Sequence, residues 1–160
     1  MGVSQQAYVA VVGAADATPE ELRLAGEVGR LLGEDGAVMI CGGLGGVMDE
    51  AARACEAAGG TSVGILPGDD RAPASRHLTV AIATGIGEAR NAIVVRSADV
   101  VIAVGGEYGT LSEIAFALKM GKPVIGLATW ELSREGMPDP ILRTDSPIEA
   151  VARALALARS

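Results

Sequence analysis

Glu113 stands where two sequence patterns overlap. It follows Thr110 by three residues, which is the spacing of a capping box, where a hydroxyl and a carboxylate bind the first backbone amides of a helix. It also follows a glycine-rich stretch, 105–109, that would let a ligand approach the backbone because glycine has no Cβ. Glu113 is therefore either a helix cap or a group that does chemistry, and we interpret it as a cap residue in a position to act.

Three glycine-rich turns share one pattern, because each follows a predicted strand and opens a predicted helix. Free N–H groups and the positive end of the helix dipole make such a helix N-terminus suitable for anions. Three such turns at the carboxyl edge of one parallel sheet predict a cleft for a phosphate or a nucleotide. The alternative for each turn is a tight crossover that needs glycine only for its backbone angles. The candidate glycines are Gly42, Gly43, Gly45 and Gly46, then Gly85 and Gly87, then Gly105, Gly106 and Gly109, with Gly13 at the end of the first strand.

Arg90 lies in the first turn of a predicted helix, at the same edge as the glycines. A cation there is unfavourable for the helix alone, but a guanidinium binds phosphate or carboxylate bidentately. Its position therefore indicates an anion, and a salt bridge to Glu88 or Glu113 is the alternative. Tyr108 could stack on a ligand ring or pack on a neighbouring turn. The other candidate ligand-binding residues are Asn91, Glu107 and Thr110.

Strand and helix patterns alternate along the whole chain. Short apolar runs predict strands at 8–13, 37–41, 61–66, 78–83, 100–104, from 123, and around 141–144. Thr18 and Ser146, each with a glutamate three positions later, predict capping boxes. We therefore predict one α/β domain, 1–160, with a doubly wound parallel sheet of about six or seven strands and helices on both faces. The stretch 67–77 reads as a loop whose Arg71 and Arg76 either close over a ligand or stay mobile.

Composition excludes several classes of function. The net charge of −7 disfavours nucleic acid and anionic membranes as partners, and no apolar run approaches a membrane span. The start of the chain, 1–6, lacks the features of a signal peptide and of a myristoylation signal, which predicts a cytoplasmic protein. Cys41 and Cys55 show no metal-ligand spacing, and His77 is the only histidine, so we expect no metal site. The stretch 42–50 lacks the lysine of a P-loop.

The segments 41–54 and 105–127, with Ala-Arg-Asn at 89–91 between them, resemble the LOG-like superfamily, which is also labelled "lysine decarboxylase-like". The pattern Gly-Gly-x-x-Gly-Thr-x-x-Glu at 105–113 is its most specific part. In the cytokinin riboside 5′-monophosphate phosphoribohydrolases of this superfamily, the residues matching Arg90 and Glu113 are the catalytic pair. The glycine turn and the residue matching Thr110 hold the 5′-phosphate. This resemblance implies hydrolysis of the N-glycosidic bond of a nucleoside monophosphate.

The sequence also departs from those enzymes. Val104 replaces the proline of their Pro-Gly-Gly, and Asn91 replaces a lysine after the arginine. In its short length and in the stretches 84–91, 96–106 and 121–130, the chain is similar to a sister branch that includes the molybdenum cofactor carrier proteins, which are small homo-oligomers. That likeness implies molybdenum cofactor, a phosphate-bearing pterin, as a carried ligand, a homodimer or homotetramer, and molybdoenzymes as acceptors. A nucleotide-sensing domain is a third reading, and nothing in the residues suggests a pyridoxal phosphate site for lysine decarboxylation.

Overall fold

A computed structural model describes residues 5–160 of the chain. The prediction about a signal peptide or myristoylation rests on residues 1–6, and residues 1–4 lie outside the described range. The elements in chain order are β1 (Tyr8–Gly13), α1 (Pro19–Asp35), β2 (Val38–Cys41), α2 (Val47–Ala57), β3 (Thr61–Leu66), β4 (Val80–Ala83), α3 (Arg90–Arg96), β5 (Val100–Val104), α4 (Tyr108–Lys119), β6 (Val124–Leu127), β7 (Leu142–Arg143) and α5 (Pro147–Ala158). A single 3₁₀ turn, Gly87–Ala89, leads directly into α3. Within residues 5–160, none of the helices is both long enough and apolar enough to cross a membrane.

The strands form one parallel sheet in the order β4-β3-β2-β1-β5-β6-β7. The chain first builds outward from β1 to β4, then returns to the other side of β1 and builds outward again to β7. This reversal places a switch point between β1 and β5. The predicted doubly wound α/β fold is confirmed.

Helices cover the two faces of the sheet as separate layers. The side chains of β1 alternate between them, with Val9 and Val11 packing on one side and Ala10 and Val12 on the other. One core cluster joins the sheet to α1, α2 and α5, and the second joins it to α3 and α4. Strands buried on both faces explain why the central strands read as continuous apolar runs.

Two of the predicted helix starts are confirmed in the structure. Thr18 and Glu21 form a complete capping box before Pro19, and α1 ends at Gly36 in the left-handed conformation. Ser146 caps α5 by accepting a hydrogen bond from the backbone N–H of Glu149. The carboxylate of Glu149 instead accepts the hydroxyl of Thr144, so half of the predicted box is present.

The predicted capping box at Thr110 and Glu113 is wrong. The helix begins two residues earlier, at Tyr108, and Glu107 is its N-cap residue. Gly105 and Gly106 have φ angles of 52° and 102°, and these left-handed conformations turn the chain into the helix earlier than the side-chain spacing suggests. Thr110 is therefore the third residue of α4, and Glu113 lies in its second turn.

The remaining differences in element bounds are small. Strand β4 begins at Val80 rather than at 78, and β2 and β6 each start one residue later than predicted. The stretch 67–77 is a loop, as predicted, and β3 and β4 are joined by it without a helix. Cys41 and Cys55 are free thiols buried in the core cluster that includes α1, α2 and α5.

Loss of the Thr18 cap tests this description of α1. We expect Thr18→Ala to lower the free energy of unfolding by about 1 kcal/mol, because the N–H of Glu21 then loses its partner at the helix start. Ser133→Ala, which changes an exposed hydroxyl in the 128–141 connection, is the control and should change stability by less than about 0.5 kcal/mol. Urea unfolding measures both, and equal effects for the two variants would contradict the capping assignment.

Candidate functional site

The carboxyl ends of β1 and β5 meet at the switch point, where Gly13 pairs in register with Val104. A cavity of about 220 Å³ opens directly beyond them. It is bounded by the turns after β1 and β5, by the start of α2, and by α3 and α4. Its lining residues are Gly13, Ala14, Ala15, Leu44, Met48, Glu88, Arg90, Asn91, Glu107, Gly109, Thr110 and Glu113.

Buried polar side chains concentrate at this cavity. Within residues 5–160, the buried polar or charged residues are Ser62, Arg90, Asn91, Thr110 and Glu113. All of them except Ser62 line the cavity. Burying such groups is costly unless they are fully hydrogen-bonded, so their clustering at one edge of the sheet indicates a binding or catalytic site rather than a means of stability.

Arg90 is the first residue of α3, and its side chain is 7% exposed. Its Nη1 lies 3.8 Å from Oε1 of Glu113, which is too long for a hydrogen bond. Its Nε is buried, and no residue in the described range 5–160 accepts a hydrogen bond from it. A Cβ on Gly42 would lie 2.4 Å from Nη1, so glycine at that position makes room for the guanidinium. The guanidinium therefore keeps donor capacity that the protein does not use.

Glu113 projects from the second turn of α4 into the same cavity. Burial raises the pKa of its carboxyl to about 8, because the nearby Arg90 only partly offsets the loss of solvation and Glu88 adds a repulsive charge. The contact with Arg90 at 3.8 Å favours an ionised Glu113, whereas the raised pKa favours a neutral one. Since the pair is too long for a hydrogen bond, we take desolvation as dominant, and the carboxyl is mainly protonated at neutral pH.

The N-terminus of α4 supplies backbone donors to the cavity. The N–H groups of Tyr108, Gly109 and Thr110 have no partner within the helix, because the first bond in α4 runs from Leu111 to the carbonyl of Glu107. Glu107 provides no side-chain cap. These N–H groups and the helix dipole therefore stay available for an anion.

Side chains from neighbouring elements fix the turn that leads into α4. The hydroxyl of Thr129 donates to the carbonyl of Gly105, and Nε1 of Trp130 donates to the carbonyl of Glu107 at 3.2 Å. Asn91 donates to the hydroxyl of Ser112 at 3.0 Å, and Ser112 donates to the carbonyl of Gly109 at 2.6 Å. The chain from Asn91 through Ser112 ties α3 to the start of α4, which sets the position of Arg90 relative to the free N–H groups.

The structure brings only part of the predicted set together. Of the candidate residues, the cavity is lined by Gly13, Arg90, Asn91, Glu107, Gly109, Thr110 and Glu113. The first turn contributes Leu44 to the lining, while its glycines Gly42, Gly43, Gly45 and Gly46 shape the backbone behind it. Gly105 and Gly106 form the bend before α4. Tyr108 points outward and is 80% exposed.

The second glycine turn has a different environment. The N–H groups of Gly85 and Gly87 donate to the carbonyls of Gly68 and Pro67, so this turn holds the start of the 67–77 loop. Neither glycine lines the cavity, although Glu88, directly after them, does. These backbone hydrogen bonds could not be predicted from the sequence, because residue types do not show where backbone carbonyls lie.

The 67–77 loop is fastened to α2 rather than lying free. Ser75 donates its hydroxyl to Asp49 at 2.6 Å and its N–H to the carbonyl of Gly43 at 2.9 Å. Nδ1 of His77 is hydrogen-bonded to Oε2 of Glu56 at 2.6 Å. Arg71 and Arg76 are exposed, and neither lines the cavity. Closure of this loop over a ligand stays a prediction.

Five lining residues were absent from the predicted set: Ala14, Ala15, Leu44, Met48 and Glu88. Ala14 and Ala15 follow β1 at the switch point, and the rule that ligands bind there could have identified them. Leu44 and Met48 are apolar and carried no signal of their own.

Charge limits what the cavity can hold. Of the residues that the structure describes, Arg90 is the one cationic side chain in its lining, against the carboxyl groups of Glu88, Glu107 and Glu113. Among residues 5–160, no group of three or more His, Cys, Asp or Glu side chains is arranged to hold a metal ion. The arrangement suits one compact anionic group, such as a single phosphate, rather than a polyphosphate.

Comparison with known protein families identifies the family of this chain. A family model described as the SLOG cluster4 family matches residues 6–151. The chain belongs to this family. An uncharacterized protein from Archaeoglobus fulgidus is 47% identical over 119 residues, which cover 74% of this chain and 78% of the relative.

Solved structures show the same fold. The molybdenum cofactor binding protein from the phototrophic bacterium Rippkaea orientalis is 36% identical, with a TM-score of 0.88 over 97% of this chain and 99% of that one. The molybdenum cofactor carrier protein from Chlamydomonas reinhardtii is 31% identical, with a TM-score of 0.80 over 96% of this chain and 98% of that one. The predicted resemblance is therefore confirmed.

The buried carboxyl predicts an unusual dependence of stability on pH. The folded-state pKa of Glu113, about 8, lies above its ordinary value of 4.5, so the folded state binds more protons between these pH values. This group therefore destabilises the fold increasingly as pH rises from about 4.5 to 8, by up to about 1.4 kcal/mol per pH unit. In Glu113→Gln this loss is absent.

We expect the free energy of unfolding of Glu113→Gln, relative to the wild type, to rise between pH 5 and pH 8.5 by one to a few kcal/mol, on the order set by the linkage relation. Urea unfolding at several pH values measures it. Glu131→Gln, an exposed side chain, is the control and should follow the wild type. A constant difference between Glu113→Gln and the wild type over this range would show that Glu113 ionises normally.

Proposed function

We propose that this protein binds and carries molybdenum cofactor, or a related phosphate-bearing ligand, with the phosphate in the cavity between β1 and β5. The observation that carries this proposal is the buried guanidinium of Arg90, whose Nε has no acceptor within residues 5–160, beside the unpaired N–H groups that begin α4. A phosphate oxygen is the acceptor that both would take, since guanidinium and helix N-terminus each favour an anion.

The size of the cavity supports binding of one end of a ligand. About 220 Å³ is below the 300–1,000 Å³ of pockets that enclose drug-sized molecules. A phosphate and the atoms attached to it fit within that volume, and the rest of a pterin would extend past the turn after β5. The proteins from Rippkaea orientalis and Chlamydomonas reinhardtii bind and carry molybdenum cofactor, respectively. Binding or carrying a cofactor agrees with a phosphate that is held without cleavage.

As a carrier, the protein would transfer its ligand to an acceptor, and copies of the chain would assemble into an oligomer. Molybdoenzymes are the acceptors that such a carrier would supply. The outer surface of the α3/α4 layer exposes Ile93 and Phe116, at 38% and 39%, which supports a homodimer or homotetramer through this layer.

Anaerobic loading tests the carrier function. The protein is incubated with molybdenum cofactor, desalted, assayed for bound molybdenum and pterin, and then mixed with a cofactor-free molybdoenzyme. We expect retention by the wild type and recovery of the acceptor's activity. Arg90→Ala should weaken retention by about tenfold or more, because hydrogen bonds to charged groups contribute about 1.5–3 kcal/mol. Arg96→Ala, in the last turn of the same helix, is the control.

Two results would refute the carrier function. One is a wild-type protein that neither retains nor transfers the cofactor. The other is equal loss of retention in the Arg90 and Arg96 variants, which would mean that the overall charge of the protein, and not the cavity, holds the ligand.

A second candidate is hydrolysis of nucleoside 5′-monophosphates by Arg90 and Glu113. The observation that favours it is the position of Glu113, which faces Arg90 across the cavity and does not cap the helix. A carboxylate beside a bound ribose phosphate could stabilise an oxocarbenium-like transition state while water attacks the ribose carbon.

Release of free base and ribose 5-phosphate from AMP and the other common nucleotides measures this activity. If the chain is a hydrolase, Glu113→Gln should lower kcat by about a hundredfold or more, because it removes the carboxylate that stabilises the positive charge developing on the ribose in the transition state. The rate should rise with pH toward about 8, as Glu113 ionises. Absence of base release from every nucleotide tested would eliminate the hydrolase and leave the carrier unaffected.

A further inference from the structure

An aromatic pair beside the cavity is not accounted for by phosphate binding. The rings of Tyr108 and Trp130 have centroids 5.8 Å apart and planes inclined by 33°. The chain has four aromatic residues in all, and these two lie together at the edge of the candidate site. Tyr108 is 80% exposed, so most of its ring is open to another molecule.

Both aromatic residues are connected to the backbone that forms the cavity. Tyr108 lies in sequence between Glu107 and Gly109, which both line it. Nε1 of Trp130 donates to the carbonyl of Glu107 at 3.2 Å. The side chain of Arg143 donates to the carbonyls of Thr129 and Trp130, which holds the segment carrying Trp130 in place. The backbone of Tyr108 and the ring of Trp130 are therefore held beside the start of α4.

The surface on the Trp130 side of the pair has room for a planar ring, whereas Tyr108 does not line this space. A groove of about 410 Å³ lies against Trp130, and most of its other lining is apolar, including Leu111, Leu118, Met137, Pro138 and Pro140. A heterocycle attached to a phosphate at the start of α4 would pass Tyr108 first, because Tyr108 is the first residue of that helix.

We propose that Tyr108 and Trp130 form a stacking platform for the planar heterocycle of the ligand, so that the site selects phosphate esters of aromatic heterocycles over aliphatic phosphate esters. This inference rests on the proposed function, because the phosphate in the cavity is what brings the ring to the platform. Every flat heterocycle offers a π-face to an aromatic side chain, and stacking of this kind adds affinity without base-specific hydrogen bonds.

Two phosphate esters test the platform. GMP carries the 2-amino-4-oxopyrimidine ring that pterins also contain, and ribose 5-phosphate has no ring system to stack. Calorimetry gives the Kd of each compound for the wild type, Tyr108→Ala and Tyr108→Phe. Tyr8→Ala, at the amino end of β1 and therefore at the opposite edge of the sheet, is the matched control. Trp130 is the only tryptophan, so its fluorescence reports ring contact directly.

We expect GMP to bind the wild type at least about tenfold more tightly than ribose 5-phosphate and to quench Trp130. Tyr108→Ala should remove most of this preference while changing the Kd of ribose 5-phosphate by less than about twofold. Tyr108→Phe and Tyr8→Ala should retain the preference, because Phe keeps the π-face and Tyr8 lies far from the site.

Equal Kd values for the two compounds, or a preference that survives Tyr108→Ala, would overturn the platform. If molybdenum cofactor is retained in the loading experiment and GMP does not bind, the platform is wrong and the proposed carrier function stands. If the cofactor, GMP and ribose 5-phosphate all fail to bind, both proposals are wrong.

Discussion

The reversal of strand order between β1 and β5 is the constraint on which the site depends. After β1 the chain crosses to the layer of α1, α2 and α5, and after β5 it crosses to the layer of α3 and α4. The two connections leave the sheet in opposite directions, so no helix within residues 5–160 lies across the carboxyl ends of this strand pair. The cavity beyond Gly13 and Val104 follows from this topology, and α3 brings Arg90 to the same edge from β4.

At this site the fold contains buried polar side chains that lower its stability. Arg90 and Glu113 are each only 7% exposed, yet they stand too far apart to form a hydrogen bond. Apolar side chains of similar volume at these positions would avoid the desolvation cost that a buried charged group carries. The rest of the domain compensates through a core of Val, Ile, Leu and Ala on both sheet faces. Residues that lower stability at one edge of the sheet, in a domain whose core is otherwise apolar, are expected where function rather than stability selects the residues.

The sequence was most informative where a local pattern has one structural solution. The bounds of β1, β3 and β5 agree with the predicted ones, because each is a β-branched run limited by glycine, proline or charged residues. Thr18, Pro19 and Glu21 together define the start of α1. The spacing of Thr110 and Glu113 was misleading because the same spacing also occurs inside a helix, and only the backbone angles of Gly105 and Gly106 show where α4 begins. The proximity of Arg90 to Glu113 depends on the packing of α3 on α4, so the residues alone offered it only as one possible salt bridge, and the family resemblance singled out the two as a pair.

Carrier and hydrolase would use the same two side chains, and the difference between them lies in the charge of Glu113. Burial raises its pKa to about 8, so the neutral form predominates at pH 7. A neutral carboxyl leaves the charge of Arg90 uncompensated and can donate its own O–H to an anion, so both groups then favour a bound phosphate. A hydrolase needs the carboxylate, because only the ionised form stabilises an oxocarbenium-like transition state electrostatically. A phosphate in the cavity would add a negative charge and oppose that ionisation further. The environment of Glu113 is therefore better suited to holding a phosphate ester than to cleaving it.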